Sequence, residues 1–290
     1  MERAIPRRPL RLIIGDCSGG LCRTIGSDAL EVMPVLNYQH GEKIDLFLRK
    51  VCAGDYVVIS DDDVFWLDDV PWNWAINQFE KDPNLVVASL LPRSRLSSIL
   101  EGRLDQAMGS HCLVLRRKIW AREAFSFKVV CPPSGGGCDW FYDTGDYANV
   151  ELPKRGYRIA IAPPEVQAHL VAFDGISSWS LKVRERSGSI LGNVVNVPLR
   201  QEKALRAIMV VRSLSGLIAE QCRKELESEL VPQPMLDKAE SICRQFLTDQ
   251  EIFEIHKSVQ FQVATIKKHL IEHIGCDSYE KTSHIRGLVS

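Results

Sequence analysis

Three consecutive aspartates, Asp61, Asp62 and Asp63, directly follow an apolar run at residues 56–60. Such a run is typical of a buried strand, and carboxylates at its end fall where open α/β sheets bind ligands. If the chain stays extended there, Asp61 and Asp63 point one way and Asp62 the other. Two such oxygen donors suit Mg²⁺ or Mn²⁺, which also keeps water or diphosphate oxygens as ligands. The alternative is an Asp-rich loop or helix cap.

Two further carboxylates and one histidine are candidates for chemistry. Asp143 and Asp146 lie at the start of a predicted helix, and aromatic residues precede Asp143. A carboxylate there is a candidate general base, with Asp143 the first choice and Asp146 the reserve. Apolar neighbours would raise the pKa of Asp143 and the helix dipole would lower it; the alternative is an N-cap or first-turn carboxylate. His169 follows the last predicted strand and could complete a metal shell as a neutral imidazole, or simply face solvent.

Composition indicates an ordinary globular protein. The 290 residues include 25% charged and 45% hydrophobic residues, which allows one large domain with an appendage. A net charge of -1 argues against a nucleic-acid partner recruited by bulk electrostatics. Nine scattered cysteines without a signal peptide predict free thiols in the cytoplasm, and no apolar run is long enough for a transmembrane segment.

Short apolar strands alternate with helical patterns over the first two thirds of the chain. This alternation predicts an α/β fold with a mostly parallel sheet flanked by helices. Strands are predicted at residues 10–15, 33–38, 56–60, 85–91, 111–115 and 157–162, and helices at residues 21–31, 40–52 and 72–81. The segment 139–146 leads into a further predicted helix that ends near residue 156.

The last third of the chain has long apolar stripes at helical spacing. They predict a helical subdomain at about residues 200–275 that packs on the sheet or on another subunit, which makes a homo-oligomer possible. We therefore expect an α/β domain at residues 1–180 and a helical C-terminal extension at residues 181–290.

The order of these motifs resembles the GT-A glycosyltransferases, most closely their inverting family 2 group, over about residues 11–170. Seven segments carry the resemblance. They are the turn at 16–18, the stretch 40–56 in place of the helix before the acidic strand, the Asp61–Asp63 triplet in place of the family's Asp-x-Asp, the segment 109–117 in place of the acceptor border, the stretch 142–146 in place of the acidic pair, the sequel Gly156-Tyr157-Arg158 and the late His169. Family members carry one more strand and helix ahead of the Asp16 turn, and we expect this element either to be absent or to be supplied otherwise.

The resemblance implies a GT-A-like fold and a metal-dependent enzyme. Its reaction would move a sugar from a nucleotide-diphosphate donor to an acceptor hydroxyl of a glycan, a protein or a small molecule, with inversion. Asp63, Asp61 and His169 would then hold Mn²⁺ or Mg²⁺. Asp16, Asp61 and Asp62 would contact the donor, and Asp143 or Asp146 would be catalytic.

Two alternatives stay open. The chain could be a catalytically impaired nucleotide-sugar-binding or scaffold protein on the same fold, or another metal-dependent nucleotide enzyme such as a nucleotidyltransferase.

Three local features each have two interpretations. Trp66, Trp72 and Trp74 form a sugar-stacking platform or core packing, Arg116 and Arg117 form a phosphate clamp or a solvated face, and the glycines at 135–137 form a lid or an ordinary loop.

Overall fold

The structure is a computed structural model that describes residues 11–16, 30–35, 39–93, 96, 100–130, 142–173, 198–215 and 233–274. The chain divides into two compact units, Met1–Leu170 and Val171–Ser290. The predicted boundary at residue 180, the predicted lid at 135–137 and most of the predicted helix at 21–31 lie outside the described residues. These three expectations stay predictions.

The first unit alternates strands and helices, as the sequence predicts. The elements are β1 (Leu12–Asp16), β2 (Leu30–Pro34), α1 (His40–Lys50), β3 (Tyr56–Ser60), β4 (Val64–Trp66), α2 (Val70–Lys81), β5 (Leu85–Ser89), β6 (Cys112–Arg116), α3 (Arg117–Arg122), α4 (Asp146–Lys154), β7 (Arg158–Ile161) and α5 (Pro164–Gln167), and β8 (Leu170–Ala172) lies at the division between the units. The protein is therefore of mixed α/β class. Strand β2 begins at Leu30 and not at residue 33, and the short β4, α5 and β8 were not predicted.

The main sheet is mixed, so the prediction of a mostly parallel sheet holds only in part. Its strand order is β3-β6-β5-β7. Strand β6 is antiparallel to both β3 and β5, whereas β5 and β7 are parallel, as are β1 and β2 in a separate pair. After β5 the chain doubles back on itself, since Pro92 and Met108 form an antiparallel bridge. This return reverses β6, because a strand reached without a crossover runs antiparallel.

Helices cover both faces of the main sheet, and the alternation of β6 shows why. Cys112 and Val114 point into one apolar cluster, which α2 covers with Trp72 and Phe79. Leu113 and Leu115 point into the other cluster. Helices α1, α3 and α4 cover that second face with Ile44, Leu48, Trp120, Ala148 and Leu152. The side chains of residues 112–115 of β6 are all fully buried, as period-two alternation requires of a central strand covered on both sides.

The second unit contains three described helices, α6 (Pro198–Ser215), α7 (Gln233–Arg244) and α8 (Asp249–Ile274). Helix α6 packs on both α7 and α8, and its Leu205 and Val210 are fully buried. Arg212 on α6 also pairs with Asp237 and Glu240 on α7. The predicted helical character of this region is therefore observed in the residues that the structure describes.

Two further expectations concern composition. The cysteines at positions 52, 112 and 243 are free thiols, as predicted for these three. None of the described helices has the length and apolar character needed to cross a membrane.

Candidate functional site

The acidic triplet forms a tight turn between β3 and β4. The Val64 N–H donates to the Asp61 carbonyl at 3.2 Å, and the Asp61 N–H donates at 2.8 Å to the carbonyl of His111, the residue before β6. The segment is therefore a turn and not the extended chain from which the side-chain directions were predicted. The burial still alternates, because Asp63 is buried and Asp62 is exposed.

The electrostatics of this turn favour a cation. Burial, the charge of Asp63 and the charge of Asp62 raise the pKa of Asp61 to about 7, and Lys43 opposes them. The first cause is desolvation of the carboxylate and the next two are like charges. A positive charge beside Asp61 would offset the cost of burying its carboxylate and its repulsion by the two neighbouring carboxylates. The oxygen donors of the turn therefore fit a hard divalent ion.

His40, the first residue of α1, lies beside this turn. Its Nε2 is 3.6 Å from Asp61 Oδ1. Burial lowers the pKa of His40, Lys43 and His111 add to the lowering, and the charge of Asp143 and a hydrogen bond to the backbone of Ser110 act the other way. His40 thus stands among Asp61, the segment before β6 and Asp143, three places that are far apart in the sequence.

The start of α1 is held in place by the segment after α3. A Cβ on Gly41 would lie 2.1 Å from the Phe127 carbonyl oxygen, so only glycine permits this approach of the two backbones. Asp45, one turn on, is buried and accepts hydrogen bonds from the Phe127 N–H at 3.1 Å and from the Ser126 hydroxyl. These contacts fix the position from which His40 projects.

The two predicted base candidates share one arginine. Arg93 Nη2 donates to Asp143 Oδ2 at 2.7 Å, and its Nη1 pairs with Asp146 Oδ1. Asp146 also accepts the Asp143 N–H at 3.1 Å. The Asp143 side chain is 51% exposed and that of Asp146 is 0% exposed. A base must reach the proton that it removes, so Asp143 is accessible for this role and Asp146 is the buried support of the arrangement.

Helix α4 begins immediately after these residues. Its N-cap, Gly145, has a left-handed backbone with φ 80°, a conformation that glycine adopts without strain. Asn149 on α4 accepts the Met108 N–H at 2.9 Å and donates to the Gly145 carbonyl at 3.2 Å. The next N–H, that of Gly109, donates to the Ser89 hydroxyl at 3.1 Å. This network fastens α4 and its acidic start to the end of β5.

His169 pairs with another aspartate. Its Nδ1 is 2.5 Å from Asp68 Oδ2, and its carbonyl accepts the Leu67 N–H at 3.0 Å. Asp63 directly precedes β4 and Leu67 directly follows it. The structure therefore places His169 with Asp68, after the end of β4 that is opposite the acidic turn.

Neither of the other predicted sets forms a ligand site. Trp66 and Trp72 are buried in the core cluster, and Trp74 packs against it. Arg116 donates to the carbonyls of Pro83 and Phe79, and Arg117 donates to that of Gly54 at 2.8 Å. The tryptophans are core residues, and the two arginines tie backbone segments together instead of forming a phosphate clamp or a solvated face.

Asp16 and the predicted metal ligands remain to be placed. Asp16 ends β1, and its side chain lies outside the described part. Among the residues that the structure describes, no three His, Cys, Asp or Glu side chains are grouped so as to hold a metal ion. The predicted set of Asp61, Asp63 and His169 is not assembled as a trio.

No functional role was predicted from the sequence for His40, Arg93 or Asp68. Each of these residues contacts a partner that is distant in the sequence. Arg93 lies 50 residues from Asp143, and His169 lies 101 residues from Asp68. The one local signal was the His40-Gly41 pair, since a glycine near the start of a helix indicates a close backbone contact.

Comparisons with known proteins add one weak likeness. No protein-family model matches the chain, and no curated protein matches it. Among solved structures, the chain is similar to the mannosyltransferase PcManGT from Pyrobaculum calidifontis in complex with GDP-Man and Mn²⁺, with 16% identity, a TM-score of 0.34 and coverage of 84% of this chain and 70% of that chain. A TM-score this low does not establish a shared fold.

Proposed function

We propose that the protein is a GT-A-like, metal-dependent glycosyltransferase of the inverting kind. It binds a nucleotide-diphosphate sugar and transfers the sugar to an acceptor hydroxyl. The observation that carries the proposal is the acidic turn after β3. There burial and two neighbouring carboxylates raise the pKa of Asp61 to about 7, as expected of a site that a cation completes.

The proposed cation is Mn²⁺ or Mg²⁺, held by the carboxylates of Asp63 and Asp61. Such ions bind through one or two carboxylates together with substrate phosphates, so a pair of aspartates is enough. When bound, the ion neutralises the charge that develops on the departing diphosphate. His169 is left out of this set, because Asp61, Asp63 and His169 are not grouped in the described residues so as to hold one metal ion.

The other residues act on the donor and the acceptor. Asp16 and the exposed Asp62 are proposed to contact the nucleotide part of the donor. Asp143 is proposed as the base that takes the proton of the acceptor hydroxyl, while Arg93 and the buried Asp146 hold its carboxylate in a fixed orientation. The half-exposed position of Asp143 supports this role, since a base must approach within hydrogen-bond distance of the acceptor.

The test begins with thermal shift of the full chain against UDP- and GDP-linked sugars, GDP-mannose among them, with and without Mn²⁺. We expect at least one donor to raise the Tm only when Mn²⁺ is present. That donor is then supplied with candidate acceptors, and the anomeric configuration of the product is read by NMR. An inverted product supports the proposal, and a retained configuration contradicts the mechanism. Donor binding with no transfer to any acceptor would favour the binding or scaffold alternative.

A further inference from the structure

A pocket of about 190 Å³, here called the α1–α3 pocket, lies between helix α1 and the segment that runs from α3 to Phe125. Its lining includes the buried apolar side chains of Leu48, Trp120 and Phe125. Two more lining residues, Arg49 and Arg117, are charged and reach solvent. An apolar lining with a few polar groups is typical of sites that bind small molecules.

The α1–α3 pocket is separate from the acidic turn. Strands β3 and β6 are antiparallel, with Tyr56 opposite Arg116 and Ser60 opposite Cys112. Helix α3 follows the end of β6 that lies beside the start of β3, whereas the acidic turn follows the end of β3. A molecule in this pocket would therefore bind at the opposite end of the strand pair from the proposed donor site.

Both arginines have hydrogen-bond donors that the described residues do not use. Arg117 donates from Nε to the Gly54 carbonyl at 2.8 Å and from Nη2 to the Ala53 carbonyl at 3.2 Å, and a guanidinium has further N–H donors. Arg49 is exposed, and no carboxylate of the described residues pairs with either guanidinium. Guanidinium groups bind carboxylates through pairs of N–H donors, so the pocket offers binding groups for an anion.

The one acidic residue of the lining has its partners elsewhere. The buried Asp45 accepts the Phe127 N–H at 3.1 Å and the hydroxyl hydrogen of Ser126. Its carboxylate is thus engaged by the segment after α3. Two arginines against one aspartate leave the lining with one excess positive charge, which favours an anionic ligand.

Trp120 adds a donor without an acceptor. Its ring stacks on Phe127 at 4.5 Å and lies tilted against Phe125 at 5.5 Å. Its indole N–H is buried and has no hydrogen-bond partner among the described residues. A buried donor of this kind is uncommon in folded proteins, and an acceptor atom of a bound molecule is one way to satisfy it.

The volume of the pocket sets the size of its ligand. An apolar cavity of about 150 Å³ holds one benzene molecule, so the α1–α3 pocket has room for one such ring with a small substituent. We propose that the pocket binds a small aromatic carboxylate, with the ring against Leu48 and Phe125 and the carboxylate on Arg49 and Arg117. The inference goes beyond the proposed function, because this second site needs neither a metal ion nor a nucleotide.

The test uses benzoate as the probe and two-dimensional NMR of the ¹⁵N-labelled full chain, with the tryptophan indole signals assigned by triple-resonance spectroscopy. We expect benzoate to shift the Trp120 indole signal saturably, with a Kd on the order of 1 mM. The indole signal of Trp72, which lies in the apolar cluster on the other face of the sheet, should not move. Benzamide lacks the charge and acetate lacks the ring, so each should bind at least about tenfold more weakly than benzoate.

Three arginine variants locate the bound carboxylate. Arg49→Met and Arg117→Met should each bind benzoate at least about tenfold more weakly than the wild type, because each loses a charged hydrogen-bond donor. Arg103→Met removes an exposed arginine elsewhere in the first unit and should bind benzoate with the wild-type Kd. Arg117 also ties two backbone carbonyls, so Arg49→Met alone decides if Arg117→Met loses its Tm.

Several results would overturn the inference. They are the absence of a saturable shift at Trp120, equal affinity for benzoate and for benzamide or acetate, and a wild-type Kd in either Arg49→Met or Arg117→Met at an unchanged Tm. Equal weakening in Arg103→Met would also overturn it, since the effect would then come from net charge and not from the pocket. None of these results bears on metal-dependent donor binding, which the thermal-shift assay tests separately.

Discussion

The charge of Asp61 makes the acidic turn sensitive to pH in the absence of metal. The pKa of Asp61 is raised to about 7 in the folded protein, against about 3.9 in an unfolded chain. The folded state therefore holds the proton more tightly, and the free energy of unfolding falls as the pH rises from about 4 to about 7. Above that range the full cost of the buried charge is present.

Replacing Asp61 by Asn removes this cost. We expect the Tm of Asp61→Asn in EDTA to exceed that of the wild type, by more at pH 8 than at pH 5. The measurement is thermal unfolding at both pH values, with Asp105→Asn at an exposed position as the control that changes little. Equal Tm differences at the two pH values would show that Asp61 has an ordinary pKa.

A second prediction at this scale concerns Arg93. Its guanidinium is the charged partner of Asp146, whose side chain is 0% exposed. Arg93→Met leaves that carboxylate buried without the arginine, so we expect the free energy of unfolding to fall by about 3 kcal/mol. Lys118→Met is the matched control, because Lys118 and its partner Asp55 are mostly exposed and such pairs contribute about 0–1 kcal/mol. Urea unfolding measures both, and equal losses would contradict a structural role for the Arg93 pair.

At the scale of elements, helix α1 carries His40 to the acidic turn, and Gly41 sets its position. In Gly41→Ala the new Cβ would lie 2.1 Å from a backbone oxygen, so the start of α1 has to shift. We expect lower stability, by about 1–3 kcal/mol, and weaker Mn²⁺ binding. Leu46→Ala, on the exposed side of the same helix, should change neither by much. Wild-type stability and Mn²⁺ affinity in Gly41→Ala would show that the start of α1 does not position the site.

The elements also show what the sequence can predict. Strand β3 has the predicted bounds, because its apolar run is delimited by Gly54 and Asp55 on one side and by the aspartates on the other. The direction of β6 was not predictable, because it depends on how the chain returns through the Pro92–Met108 bridge. Strand β4 is three residues long, too short for a periodic pattern to indicate.

In the candidate site, too, the local features were predicted and the long-range contacts were not. The acidic turn was predicted, because its three aspartates are adjacent in sequence and end a recognisable strand. The Arg93 pairs, the approach of His40 and the Asp68–His169 contact were not predicted, since each joins residues at least 21 positions apart that only the folded chain brings together. Local pattern thus identifies the carboxylates, and tertiary structure identifies their partners.

At the scale of the whole molecule, the helical region after residue 200 is predicted to be an interaction element. Two phenylalanines of α8, Phe253 and Phe261, are 58% and 74% exposed, and exposed aromatic side chains are enriched where protein surfaces meet. If these helices form a homo-oligomer, Phe261→Glu should lower the mass measured by light scattering, with Gln260→Glu on the same helix as control. The same mass for both variants and the wild type would contradict an interface at Phe261.

The most direct test of metal-dependent donor binding is calorimetry with Asp63→Asn. The wild type is titrated with the nucleotide sugar identified by thermal shift, with Mn²⁺ and then with EDTA, and the variant is titrated with Mn²⁺. We expect the wild type to bind only with Mn²⁺, and Asp63→Asn to lose at least about 1.4 kcal/mol of binding free energy, a tenfold weaker Kd, at an unchanged Tm in EDTA. Equal Mn²⁺-dependent donor affinity in the two proteins would contradict a donor site at the acidic turn.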